Sequence, residues 1–258
     1  MEVVIAPGPD GVADLAAGII ARAVSTLDAP VIGLATGSSP LPTYERLIAL
    51  HLAGLSFAHA SAVTLDEYVG LADGHPEAYR AVIGRELVDH IDLPVERLHS
   101  PDVHAADLAA ACSAYDRTVV DLGVDVQLLG IGSDGHIGFN EPGSSLSSRT
   151  RVKTLTDQTR ADNARFFDSL DEVPRHVVTQ GLGTISEARH LVMLATGESK
   201  ARPIAEMIEG PVSASCPASA LQFHPHVTVL IDDDAAHELV HADHYRETYR
   251  HKPSWQQL

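Results

Sequence analysis

Short apolar runs recur along this chain, and each hands over to an amphipathic stretch through a brief turn. Val3 to Ala6, Val31 to Ala35, Ala62 to Leu65, Val126 to Leu129, His190 to Ala195 and Val227 to Ile231 are of strand length and mostly aliphatic. Between them the spacing turns helical. Val12, Leu15, Ala16, Ile19, Ile20, Ala23, Val24 and Leu27 recur at i, i+3, i+4, with Asp10 placed to cap the helix. Leu41, Tyr44, Leu47 and Ile48 give a second helix its apolar face, and further helices are predicted over about 76–90 and 105–122. Strand, helix, strand, helix with short connections predicts an α/β fold: a doubly wound, mostly parallel, Rossmann-like sheet. No linker or long repeat divides the 258 residues, enough for a single domain, 1–258, with a substantial core. One stretch breaks the pattern. From Ser144 to about Gln180 polar and charged residues dominate, with one amphipathic piece at 161–167. It reads as a surface excursion or as a mobile lid at about 151–180.

The strand at Val126 to Leu129 delivers the loop richest in chemistry, which offers Asp134, His136 and Glu141 within eight residues. An acid, a histidine and a second acid at a strand end make a candidate proton-transfer site. Gly130, Gly132 and Gly135 also fit a dinucleotide fingerprint. That motif needs a helix N-terminus next, and His-Ile-Gly-Phe-Asn-Glu-Pro is a poor start for one, while Asp134 would repel a phosphate. Thr36-Gly37-Ser38-Ser39-Pro40 joins a strand to a helix whose first turn suits Pro40, an arrangement that binds anions or simply caps a turn. The tetrapeptide Leu-Ala-Thr-Gly occurs at Leu34 to Gly37 and again at Leu194 to Gly197, each time closing a strand. The two turns could converge on one phosphate with Lys200 as a point charge, or recur by chance. Asp66 and Glu67 end another strand, at the face where open α/β sheets bind ligands.

Eighteen basic against thirty-five acidic residues, a formal −17, disfavours nucleic acid and anionic membranes as partners. An anionic small molecule would need positive charge placed locally. Arg149, Arg151, Lys153, Arg160 and Arg165 make the lid stretch basic, as a solvated face or as a ligand-binding one. Cys112 and Cys216 fit neither a metal spacing nor a disulfide framework, which suits a reducing cytoplasm. The N-terminus lacks the basic region of a signal peptide, and no apolar run approaches the ~18 residues of a membrane span. His237, His241 and His244 could share a helix face, but no further ligand is placed to complete a metal site.

The runs LDEY at Leu65 to Tyr68, GSDGHIGFNEP at Gly132 to Pro142 and SRTR at Ser148 to Arg151, together with TGSSP at Thr36 to Pro40, resemble the glucosamine-6-phosphate deaminase family. The resemblance runs from about Val31 to about Asp232, with Ser133 where the family usually has Asn. It implies conversion of glucosamine 6-phosphate and water to fructose 6-phosphate and ammonia, with no cofactor and no metal. It implies that Asp66 is the base moving a proton between carbons 2 and 1. His136 then opens the sugar ring, assisted by Asp134 and Glu141. Gly37, Ser38, Ser39, Arg165 and Lys200 match the family's phosphate ligands. Ser144, Arg151 and Lys153 match an activator site that hexameric members carry at a subunit boundary. Members occur as monomers and as hexamers, so a monomer and a homo-oligomer both fit. A 6-phosphogluconolactonase-like hydrolase shares the G-x-DGH stretch but needs neither Asp66 nor the FNEP that follows. A non-catalytic sugar-phosphate sensor would need no acid–base set at all.

Overall fold

The structure, a computed structural model, describes residues 1–253, 255, 256 and 258. In chain order the elements are β1 (Glu2–Ala6), α1 (Gly8–Thr26), β2 (Val31–Leu34), α2 (Leu41–Leu52), β3 (Ser61–Thr64), β4 (Asp66–Val69), α3 (Tyr79–Glu86), β5 (Leu98–His99) and α4 (Leu108–Leu122). There follow β6 (Val126–Gly130), β7 (Arg151–Thr154), α5 (Asp157–Asn163), β8 (His176–Thr179), α6 (Leu182–Ile185), β9 (His190–Ala195), α7 (Ala201–Ile208), β10 (Val227–Asp232) and α8 (Ala242–Arg250). Seven strands lie side by side in the order β1, β10, β9, β6, β2, β3, β5, and every neighbouring pair is parallel. Every residue of β2, β9 and β10 is buried, which is why these strands read as largely apolar runs and not as alternation.

The strand order places the site. The chain steps outward from β2 through β3 to β5, then returns to begin again at β6 beside β2 and proceeds through β9 to β10. Progression reverses between β2 and β6, and the crevice beyond the C-terminal ends of such a pair is where open parallel sheets bind ligands. The turn Ala35 to Pro40 and the loop after Gly130 both rise from that crevice.

A second, antiparallel sheet of β4, β8 and β7 corrects two expectations. Asp66 to Tyr68 is not the loose end of a strand; Leu65 alone separates β3 of the large sheet from β4 of the small one. The stretch read as a polar excursion contributes β7 and β8, its two ends, so the part that overhangs the crevice is 155–175. Four-residue strands such as Arg151–Thr154, half-buried on one face and exposed on the other, carry no apolar run to betray them.

Smaller corrections concern helix ends. α1 begins at Gly8 with Pro7 in the cap position. Asp10 lies in its first turn and pairs with Arg46 of α2 at 2.6 Å, while Leu27 falls past the helix end and is exposed. The helix expected over 76–90 is α3 followed by a 3-10 turn, Val88–His90. His237 sits in a turn, His241 just before α8 and His244 within it, so the three do not share one helix face.

Candidate active site

A cavity of about 360 Å³ opens at the crevice between β2 and β6. Gly37, Ser38, Ser39, Arg165 and Lys200 line it together with Asp66 and His136. A larger cavity of about 670 Å³ lies at the β5 edge against α4 and holds none of the candidate residues, so volume alone does not locate the site.

The Gly37 turn presents backbone to the cavity. Gly37 takes φ +93°, a conformation costly for any residue with a Cβ. Among the described residues, the N–H groups of Gly37, Ser38 and Ser39 find no acceptor, and they sit ahead of the first turn of α2. The turn is fixed from behind by Tyr44 of α2, whose hydroxyl donates to the Ala35 carbonyl at 2.6 Å and accepts from the Ala35 N–H at 3.2 Å. Lys200 enters the cavity from the second Leu-Ala-Thr-Gly turn and donates to the Ile131 carbonyl at 2.7 Å. Burial, then the Arg165 charge, lower its pKa, so an anion placed there would relieve both penalties. Asp232 at the end of β10 holds that second turn by accepting the Gly197 N–H on both oxygens, at 3.0 and 3.1 Å. Only Lys200 of the second turn lines the cavity, so the two turns converge through one side chain and not as twin cradles.

The same cavity holds the candidate acid–base groups Asp66 and His136. Asp66 is 5 % exposed, and no described residue donates a hydrogen bond to its carboxylate. Burial, and then the adjacent Glu67 charge, raise its pKa well above the usual carboxylate range. Gly138, at φ +56°, leaves room beside it; a Cβ there would meet Thr179 Oγ1 at 2.9 Å and Asp66 Oδ2 at 3.4 Å. His136 Nδ1 lies 2.6 Å from Asp134 Oδ1, and this bond is the main reason the Asp134 pKa is lowered. An ionised Asp134 only accepts, so Nδ1 carries the proton and Nε2 is the nitrogen free for chemistry. The His136 ring folds over Gly132, where any Cβ would overlap it.

Glu141 goes elsewhere. Its carboxylate accepts from Thr156 Oγ1 at 3.1 Å, from Thr159 Oγ1 and, at 3.5 Å, from the Thr156 N–H, all at the start of α5. It makes no ion pair with His136 and does not line the cavity, so the structure brings Asp134 to His136 and sends Glu141 to the overhanging segment. Ser144, Arg151 and Lys153 also lie off the cavity. Ser144 is buried with its hydroxyl unpartnered among the described residues, and Arg151 and Lys153 share the half-buried face of β7.

The basic stretch does not form one patch. Arg149 pairs with Asp116 at 2.8 Å and Glu187 at 2.9 Å, and Arg160 is buried against the carbonyls of Leu170 and Val173. Of that set only Arg165 faces the cavity. Gly130, Gly132 and Gly135 precede no helix, since the chain stays in loop until β7, and a dinucleotide has no helix N-terminus there. Among the described residues no three metal-ligating side chains cluster, and no helix is long and apolar enough to cross a membrane. Tyr44, Asp232, Thr159 and Glu67 support the cavity's residues without having been singled out for a role in the sequence. Only Glu67 had a signal, its place beside Asp66.

The family model described as glucosamine-6-phosphate isomerases/6-phosphogluconolactonase matches residues 9–230. The chain is 59% identical over 257 residues to a glucosamine-6-phosphate deaminase of Pseudarthrobacter chlorophenolicus, covering 99% of each. It is 55% identical over 259 residues to one of Streptomyces coelicolor, again covering 99% of each. Among solved structures it resembles a monomeric glucosamine-6-phosphate deaminase at TM-score 0.90 and 44% identity, covering 92% of this chain and 100% of that one. A Trypanosoma brucei 6-phosphogluconolactonase aligns at TM-score 0.75 and 22% identity, covering 93% and 98%, a likeness of fold alone.

Proposed function

The chain belongs to the glucosamine-6-phosphate isomerase/6-phosphogluconolactonase family, and from that premise we propose the deaminase reaction for it. Glucosamine 6-phosphate and water become fructose 6-phosphate and ammonia through an aldose–ketose isomerisation. The phosphate sits against the backbone N–H groups of Gly37, Ser38 and Ser39, with Lys200 and Arg165 supplying charge. His136, through the nitrogen not engaged by Asp134, moves the ring-oxygen proton that opens the sugar. Asp66 takes the proton from carbon 2 and returns it at carbon 1. Nitrogen at carbon 2 is left as an iminium, which water hydrolyses, and the amine departs protonated. Glu141 acts here through the overhanging segment, which it fastens to the catalytic loop.

One observation carries this reading: a buried carboxylate with no hydrogen-bond partner among the described residues, facing the same cavity as a histidine oriented by a second acid. A hydrolase opening a lactone has no use for the first, and a sensor has no use for either. The test is ammonia release from glucosamine 6-phosphate with fructose 6-phosphate measured in parallel. Equal molar yields support the reading; a chain that hydrolyses 6-phosphogluconolactone instead would end it.

A solved relative, 44% identical to this chain, is described as monomeric. A single domain acting as a monomer, with 155–175 as its lid, is therefore our reading of the assembly. Sedimentation at the mass of one chain, 27.5 kDa, is the expected result. In a monomer Ser144, Arg151 and Lys153 have no neighbouring subunit, so the rate curve is hyperbolic and N-acetylglucosamine 6-phosphate leaves it unchanged.

A further inference from the structure

We propose that Glu67 is a positioning residue for the isomerisation: its buried carboxylate ties the strand carrying Asp66 to the first turn of α3 and stands as a fixed negative charge behind the base. The inference rests on the isomerase reading of the site. Asp66 and Glu67 are successive residues of β4, so their side chains leave opposite faces of the strand. Asp66 lines the cavity and Glu67 does not, although Glu67 is just as buried, at 4 % exposure. Its Oε1 accepts the N–H groups of Tyr68 at 2.9 Å and Tyr79 at 2.8 Å, and its Oε2 accepts that of Arg80 at 2.8 Å.

Tyr79 and Arg80 open α3, where helix N–H groups lack intrahelical partners. The residue ahead of them is Ala78, which has no side chain able to cap. Glu67 does that work from an adjacent strand, and the same bonds prevent its carboxylate from swinging to solvent. Burial raises its pKa, and the three N–H donors oppose that rise by favouring the ionised form. The titratable groups facing the two carboxylates are Tyr68, Tyr79, Tyr115 and His104. The Arg80 guanidinium is turned away, onto the carbonyls of Leu98 and Val95. Among the described residues no cation forms an ion pair with either carboxylate. Asp66 therefore sits beside a charge that no ion pair among the described residues neutralises, in a water-poor place, and a base in that setting binds its proton more tightly.

The experiment compares the parent enzyme with Glu67→Gln, Glu67→Asp and Asp66→Asn. Ammonia release is followed across pH, together with exchange of the carbon 2 hydrogen into solvent. The substrate phosphate titrates alike in all of them, so differences between profiles belong to the protein. Glu67→Gln is expected to lose about tenfold in kcat with KM within about twofold, and its acid limb moves to lower pH. Glu67→Asp keeps the charge and the parent's limb. An acid limb that Glu67→Gln leaves in place, or equal losses in the Gln and Asp variants, would mean that Glu67 is structural only. If Glu67→Gln does not fold, carboxyl NMR of the parent decides. Asp66 and Glu67 titrating as a coupled pair supports the proposal, and independent titration overturns it. A parent that releases no ammonia sinks the isomerase reading. A parent that is active and silenced by Asp66→Asn, beside an unmoved Glu67→Gln limb, sinks this proposal alone.

Discussion

A buried carboxylate without a hydrogen-bond donor is costly to keep ionised, and Asp66 is such a group. Two opposite effects of Asp66→Asn follow. Turnover falls by at least about a thousandfold while substrate binding stays within about tenfold, because the amide keeps the shape and removes the base. Stability at neutral pH rises. The Asp66 pKa is raised in the folded state, so its contribution is fully present below the unfolded value and is lost as pH rises through the folded one. The uncharged amide escapes that loss, and a thermal melt at pH 7 higher than the parent's is the expected result. An equal or lower melt would mean the carboxylate has partners that water supplies. In the same cavity, Lys200→Ala raises KM at least about tenfold and Ser38→Ala no more than about threefold. A full charge is lost in the first case, while the backbone N–H groups survive in the second. Equal effects on KM would remove Lys200 from the phosphate site. Asp66, His136 and the Gly37 turn are legible in sequence because each sits in a run of unusual residues. Tyr44 and Asp232 are not, since a tyrosine on a helix's apolar face and an acid ending a strand read as ordinary core and turn.

The overhanging segment between β7 and β8 is fastened at two points. Thr156 and Thr159 at the start of α5 hold Glu141 of the catalytic loop, and Phe167 packs on Tyr68 with ring centroids 5.8 Å apart. Thr159→Val keeps the volume and removes the hydroxyl that bonds the carboxylate. The expected outcome is faster proteolytic cleavage within 155–175 and a KM raised several-fold, with kcat changed less, as for a lid that closes less completely. Unchanged proteolysis and KM would show that the Glu141 contact does not govern closure. The element as a whole was visible in sequence only as a change of texture. Its two flanking strands are too short and too polar to announce themselves, and their pairing with β4 is a long-range choice.

Across the whole molecule, one titration that bears on acid stability lies far from the cavity, near the N-terminal ends of β9 and β10. His190 is buried and stacked on His226 with centroids 3.6 Å apart, and its Nε2 meets Thr228 Oγ1 at 2.8 Å. Burial, then His226, His224 and Lys252, push its pKa down from 6.5 to about 4. The folded value lies below the unfolded one, so the native state holds His190 neutral while the unfolded chain takes up the proton. Stability is full above about 6.5 and is lost progressively as pH falls toward 4. Between pH 7 and pH 5 this one group costs about 2 kcal/mol. Urea unfolding of His190→Gln at the two pH values should lose correspondingly less, and an identical loss would place the acid sensitivity elsewhere.

Periodicity reports whether a segment is buried and on which side, and it reports this locally. That is why the alternation of strand and helix, the parallel sheet and the loop from Gly130 to Pro142 could all be read from residues. Which strands become neighbours is settled by packing across long sequence separations, and no local pattern carries it. Only the fold sets β2 beside β6 and so brings Asp66 and His136 to one cavity. The same packing draws Glu141 away to α5 and scatters a basic stretch among separate partners, leaving Arg165 alone at the site. It also shuts Glu67 behind the base, where burial and three backbone donors turn an acid that the sequence placed only beside Asp66 into part of the site's electrostatics.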